Sequence, residues 1–233
     1  MGIFSTIKAM FSNKVEVRVP MSRNLKEYYK PTDWPTINTA MAKTYREFGS
    51  QINQAAKLAN VPVAILNSFI YIESAGNPKA VSKAGAVGLM QLTPDTATNI
   101  IHVEAKAGRL SKEEQAILRK VLGKRLDCIL SFKYMNQPLA CNNNTGKVVT
   151  QQDLLNTEFN LMTGAILLSA LIDQHTEGKL VRLDKVVVRY NAGYNYKPQG
   201  ATVEETIAFA QKKGGAETSN YILKLNDLLG KTA

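Results

Sequence analysis

Only two cysteines, two histidines and one tryptophan occur in the 233 residues of this chain. Cys128 and Cys141 stand thirteen residues apart without a CxxC pair, and two histidines cannot complete a ligand set, so neither a metal nor a cofactor is expected. The cysteines read as two reduced thiols. No run approaches the roughly 18 to 20 apolar residues that cross a bilayer, which excludes a transmembrane segment. The opening "MGIFSTIKAMFSNK" lacks a basic n-region, an uninterrupted apolar core and a small-x-small cleavage site, so no signal peptide is expected. Internal repeats and low-complexity tracts are also missing, and 45% hydrophobic residues suffice for one globular domain with appendages.

Acidic residues are scarce: 19 Asp and Glu stand against 29 Lys and Arg, a net charge of +10. The excess is uneven, with +4 in residues 1–50, +5 in residues 101–150 and a nearly neutral remainder. Such basic segments suit an anionic wall polymer, anionic lipid or nucleic acid, the last a weaker candidate, or they are merely a solvated face.

Residues 1–36 contain Pro20, Pro31 and Pro35 and read as an extended basic arm, with a strand at 15–19. From Thr36 the pattern turns helical, with Ile37, Met41, Tyr45, Phe48, Ile52, Ala55, Ala56 and Ala59 recurring every three or four positions. Pro62 opens a second helix that ends near Glu73, before Gly76, Asn77 and Pro78. Thr93-Pro94 starts another, and Ser111 with Glu114 forms a capping box ahead of "AILRKVLGKRLDCILSFKYM". The spacing predicts a loop over 136–150 and a long helix from about Gln151 or Asn156 to His175. It then predicts a helix over Leu183 to Tyr190, one capped by Thr202 and Glu205, and a last one beyond Gly214-Gly215. The fold class is mainly α, with a cleft made from helix ends and loops.

The stretch "YIESAGNPKAVSKAGAVGLMQLTPDTA", residues 71–97, holds a single acid in its first 24 positions. That acid, Glu73, emerges where a half-buried helix stops, and partial loss of hydration would raise its pKa and let it donate a proton near neutral pH. Alone, a Glu at a helix end is more often a surface residue. Around it lie Ser82, the flexible Gly85 and Gly88, and Gln91, and far downstream Tyr190 and Asn191 close a helix. Neutral donors and acceptors of this kind suit a carbohydrate.

In this order the pieces resemble the catalytic domain of soluble lytic transglycosylases, a branch of the goose-type lysozyme fold that cleaves peptidoglycan. The resemblance rests on "ES" at Glu73-Ser74, Ser82, "GLMQLTPDTA" at 88–97, Asn160 and Gly164 followed by "LLSAL", "YNAG" at 190–193, and Glu217, Thr218, Tyr221, Ile222 and Lys224. It covers roughly residues 50–230. It implies a lysozyme-like helical domain over 37–233, carrying a basic insertion at about 100–150.

The resemblance further implies a role for each matching position. Glu73 is the expected sole acid and base, Ser82 orients an acetamido group, and Gln91, Tyr190 and Asn191 line the cleft. Leu89 and Met90 are expected in the core, Asn160 and Gly164 in helix packing, and Ser74 in fixing the local turn. Glycosidases ordinarily use two carboxylates. Here the substrate would supply the nucleophile: Glu73 protonates the glycosidic oxygen between MurNAc and GlcNAc, then takes the proton of the MurNAc C6 hydroxyl as that oxygen closes on C1. No motif offers a second acid, and Asp95 is assigned to its own helix N-terminus.

Three features depart from the family pattern: about 68 residues between "GLMQ" and Asn160, Arg189 before "YNAG" where Ala is common, and the arm. A hydrolytic lysozyme is the competing enzyme reading, and a non-catalytic structural or DNA-delivery protein of a virus or conjugation apparatus is the competing class. Without an export signal, the expectation is a protein carried in a virion or delivered to the periplasm by a secretion apparatus whose proteins hold residues 1–36.

Overall fold

A computed structural model describes residues 34–131, 141, 148–178, 180–194 and 196–231. Among them lie α1 (Trp34–Leu58), α2 (Val63–Ser74), α3 (Pro94–Lys106), α4 (Lys112–Leu122), α5 (Lys124–Leu130), α6 (Gln151–Leu154) and α7 (Thr157–Gln174). A two-residue antiparallel pair follows, β1 (Thr176–Glu177) with β2 (Leu180–Val181), and then α8 (Leu183–Ala192) and α9 (Val203–Lys231). The domain is mainly α, as its apolar spacing predicts. The strand expected at 15–19 and residues 1–33 of the arm lie outside the described residues, as does most of the 136–150 loop. Trp34, Pro35 and Thr36, assigned to the arm, already belong to α1.

The centre of the domain is α7, apolar on every side, with Phe159, Leu161, Leu168 and Leu171 fully buried. A helix without a polar face must be surrounded, and α1, α3, α4 and α8 pack around it. α2 lies between α1 and α9. On α1 the buried stripe takes in Thr44 rather than Tyr45, which is 39% exposed and donates its hydroxyl to Asn53.

Several helix ends fall where the caps predict. Thr93 caps α3, Ser111 and Glu114 form their box on α4, and Asn156 caps α7. Pro62 is the N-cap residue of α2 rather than its first helical residue. Gly123 splits the stretch after Ser111 into α4 and α5 at φ +54°, a left-handed value that favours glycine. Gly214-Gly215, expected to end a helix, lie inside α9. Each glycine costs a helix about 1 kcal/mol, and the buried Ile207 and Ala210 before the pair and Tyr221, Ile222 and Leu225 after it outweigh that.

The expectation of two free thiols is corrected. Cys128 of α5 and Cys141 form a disulfide, with Cα atoms 5.8 Å apart, within the range such a bridge spans. Sequence spacing could not show that Cys141 lies against α5. Closing a loop of this length removes about 3 kcal/mol of unfolded-state entropy. Reduction is therefore expected to lower the melting temperature by roughly 5 to 10 °C. Calorimetry with and without a thiol reductant checks this, and a Cys128→Ser variant should lose the sensitivity.

Candidate active site

The last turn of α2 brings Glu73 to the surface of the core. Ser74 ends the helix, Ala75 takes a left-handed conformation at φ +49°, and its N–H returns to the Tyr71 carbonyl. Gly76 follows at φ +79°, pressed against α1 so closely that a Cβ there would meet Thr44 Oγ1 at 1.9 Å. No larger residue fits, and the turn after Glu73 is thereby fixed against α1.

Residues 80–92 fold back over this turn. Gly88 N–H bonds the Ala80 carbonyl at 2.8 Å, and Val87 and Leu92 exchange hydrogen bonds of 2.9 and 3.2 Å. The loop is held from below by Asn160 of α7, 1% exposed. Its oxygen accepts from Met90 N–H at 2.8 Å, and its amide donates to the Val87 and Leu154 carbonyls at 2.9 and 3.0 Å. A Cβ on Gly164 would sit 2.6 Å from Met90 Cγ, so α7 and the loop pack at the closest approach that glycine allows. Leu89 and Met90 are core residues, as expected.

Two more hydroxyls pin the loop. Ser74 Oγ lies 2.9 Å from the Leu89 carbonyl, and Tyr190 donates to the Met90 carbonyl at 2.8 Å. Gln91, next in line, is left-handed at φ +43° and spends its amide N–H groups on the Ala80 and Gly88 carbonyls, leaving its side-chain oxygen to accept. Ser82 Oγ accepts from Ala86 N–H at 3.0 Å and keeps its own proton to donate. Asn191 is exposed and donates to Thr218 Oγ1 at 2.6 Å. The structure thus links Tyr190 and Gln91 through the Met90 carbonyl and ties Asn191 to α9, while Ser82 is held within its own turn.

The direct partner of Glu73 comes from α9. Tyr221, 5% exposed, donates its hydroxyl to Glu73 Oε1 at 2.7 Å. Phe69, one turn before Glu73, stacks between the two tyrosines, with centroids 5.0 Å from Tyr190 and 5.5 Å from Tyr221. Burial in this aromatic corner raises the Glu73 pKa to about 7, the Tyr221 hydrogen bond lowers it, and the charge of Glu217 raises it again. Both tyrosines are pushed well above their ordinary value by burial and by the Glu73 charge, so they remain donors. An open pocket of about 410 Å3 flanks Glu73, with Ser74, Ala80, Tyr71 and Lys224 among its walls.

Sequence reasoning assigned neither the Tyr221 contact nor the influence of Glu217. Both lie in the "ET..YI.K" block, four residues apart and hence on one face of α9. The statement that no second acid accompanies Glu73 is corrected accordingly: Glu217 is close enough to raise its pKa. Arg189, the departure before "YNAG", bonds Gln174 and the Tyr194 carbonyl and covers the Tyr194 ring at 4.7 Å.

Tyr221→Phe isolates the hydrogen bond. Because that bond favours the charged carboxylate, its loss is expected to raise the Glu73 pKa further and move the alkaline limb of the pH–rate profile upward. The rate should also fall about tenfold as the carboxyl loses its orientation. An unmoved limb would show that the hydroxyl does not act on Glu73.

Glu73 is thus a half-buried carboxyl with its pKa raised to about 7, beside an open pocket, an arrangement able to exchange a proton near neutral pH. Residues 50–117 match the family model described as "Transglycosylase SLT domain". The "Membrane-bound lytic murein transglycosylase E" of Buchnera aphidicola subsp. Acyrthosiphon pisum is 33% identical over 76 residues, covering 32% of this chain and 34% of that protein. The "Endo-type membrane-bound lytic murein transglycosylase A" of Enterobacter sp. (strain 638) is 36% identical over 72 residues, 31% of this chain and 34% of that protein. The namesake from Klebsiella pneumoniae (strain 342) reaches 61% over 33 residues, 14% of this chain and 16% of that protein. The aligned part spans about a third or less of each relative. Among the described residues of this chain no helix is long and apolar enough to cross a membrane.

Proposed function

We propose that this chain is a peptidoglycan lytic transglycosylase that cleaves the β-1,4 bond between MurNAc and GlcNAc and leaves a 1,6-anhydro-MurNAc end. The observation that carries the reading is Glu73, a carboxyl held near a pKa of 7 by burial and oriented by Tyr221. Below that pH it is protonated and can give its proton to the departing GlcNAc oxygen. The carboxylate so formed accepts the proton of the MurNAc C6 hydroxyl as that oxygen bonds C1. Tyr221 stabilises the carboxylate between the two transfers, and one acid serves both steps. Intramolecular attack lowers the entropic barrier when the sugar is held in place. Ser82, the Gln91 oxygen and the Asn191 oxygen supply the polar contacts for that holding.

A hydrolytic lysozyme is the second reading, and the proximity of Glu217 favours it: a second carboxylate could activate water. Mass spectrometry of the muropeptides released from purified sacculi separates the two. Anhydro ends are expected; reducing MurNAc ends alone would establish hydrolysis. The Cys128–Cys141 bridge supports work in an oxidising compartment such as the periplasm. Residues 1–36 and their basic side chains are proposed as the contact with a virion or secretion apparatus that brings the enzyme there.

A further inference from the structure

The turn that carries Ser82 stands on two supports. Its base is the pair of bridges from Val87 to Val81 and Leu92, which Asn160 of α7 holds from below through the Val87 carbonyl. Its tip is residues 82–86, where Ser82 N–H bonds the Ala86 carbonyl at 2.9 Å and Gly85 N–H bonds the Ser82 carbonyl at 3.0 Å. Lys83 and Ala84 are exposed, so hydrogen bonds rather than burial must fix the tip.

The second support lies 66 residues further along, where Gln151, the first residue of α6, donates its side-chain amide to the Gly85 carbonyl at 3.2 Å. The approach is close: a Cβ on Gly85 would stand 3.0 Å from that amide nitrogen. The accepting carbonyl belongs to the same peptide unit as the Ala86 N–H, and this N–H is the group that donates to Ser82 Oγ at 3.0 Å. A peptide unit is planar, so holding its oxygen aims its N–H. Hydrogen bonds joined through one amide also polarise each other. Gln151 thereby fixes the direction in which Ser82 Oγ is held, with the hydroxyl proton still free to donate.

Gln151 is itself held. A helix of four residues such as α6 keeps no direction unaided, and Thr150 closes it with a capping box to the buried Asp153. Arg125 of α5 then grips Asp153 with hydrogen bonds of 2.6 and 2.8 Å and donates to the Val148 carbonyl at 2.8 Å. Arg125, Thr150, Gln151 and Asp153 all lie between Gln91 and Asn160, the stretch whose length departs from the family pattern.

We propose that Gln151 is a positioning residue for the reaction, and that this end of the insertion serves to aim the Ser82 hydroxyl at the acetamido group of the substrate sugar. The proposal rests on the peptidoglycan reading above, with Ser82 as the acetamido contact. Gln151 touches no substrate and acts only through the Gly85–Ala86 peptide.

The test is a double-variant cycle on purified glycan strands. Gln151→Met keeps a side chain of similar length without the donor, and its folding is checked by melting temperature. It should lower kcat/KM about three- to tenfold in a chain that carries Ser82, the range of one net hydrogen bond, and leave it nearly unchanged in the Ser82→Ala background. No loss in the first, or the same loss in both, overturns the proposal. Hydrogen exchange without substrate tests the hold directly: the Ala86 amide should exchange at least about threefold faster in Gln151→Met, while that of Met90, bonded to Asn160, keeps its rate. An unchanged Ala86 rate refutes the proposal. A wild type that cleaves no glycan would count against the transglycosylase reading, and the exchange rates would still decide whether Gln151 holds the turn.

Discussion

Glu73→Gln is expected to lower cleavage of purified sacculi about 10³-fold or more, because the amide keeps the shape and the Tyr221 contact but transfers no proton. The same substitution has a stability signature that an ordinary surface glutamate would lack. The carboxyl has a pKa of about 7 in the folded chain against an ordinary value of 4.5. Between those values the folded state binds more protons than the unfolded state, so stability falls as pH rises through this window. The full loss is on the order of 3 kcal/mol once pH exceeds 7. Wild type and variant should therefore melt alike near pH 4.5, and the variant should melt higher at pH 8.5. An inactive variant without this crossover would mean that Glu73 is not desolvated as the geometry requires.

The largest effect on folding is expected from Asn160→Ala, at about 3 to 5 kcal/mol. The substitution strips partners from the Met90 N–H and from the Val87 and Leu154 carbonyls in a site closed to water, and each buried group left unpaired costs about 1 to 3 kcal/mol. Part of this is recovered by relaxation of the loop. Because the same bonds hold residues 87–91 against Ser74, next to Glu73, and against Tyr190, activity should fall more steeply than the folded fraction does. Chemical denaturation with parallel activity measurements separates the two.

The local features of the fold were legible because they depend on neighbours in sequence. The Ser111–Glu114 box, the Thr93 and Asn156 caps and the end of α2 beside Glu73 all involve residues within four positions of one another. The glycine-rich loop was legible as a close approach, and Gly164 against Met90 shows what is approached. What composition and spacing could not show depends on distance along the chain. Tyr221 meets Glu73 across 148 residues, and no periodicity reports such a contact. The helix through Gly214-Gly215 survives on burial at both ends rather than on propensity. The disulfide depends on Cys141 lying against α5, which spacing alone does not report. For Tyr190 the type of residue was legible but not its use: its hydroxyl proton is committed to the loop at Met90 rather than left open to a ligand.

The central claim is that the bond is cut by the sugar's own C6 hydroxyl, with Glu73 passing a proton in each direction. Cleavage of purified glycan strands in water enriched in 18O, followed by mass spectrometry of the new MurNAc ends, tests it most directly. The account predicts ends lighter by one water than the reducing sugar and carrying no heavy oxygen. Reducing ends with 18O at C1 would show that water attacked, and would contradict it.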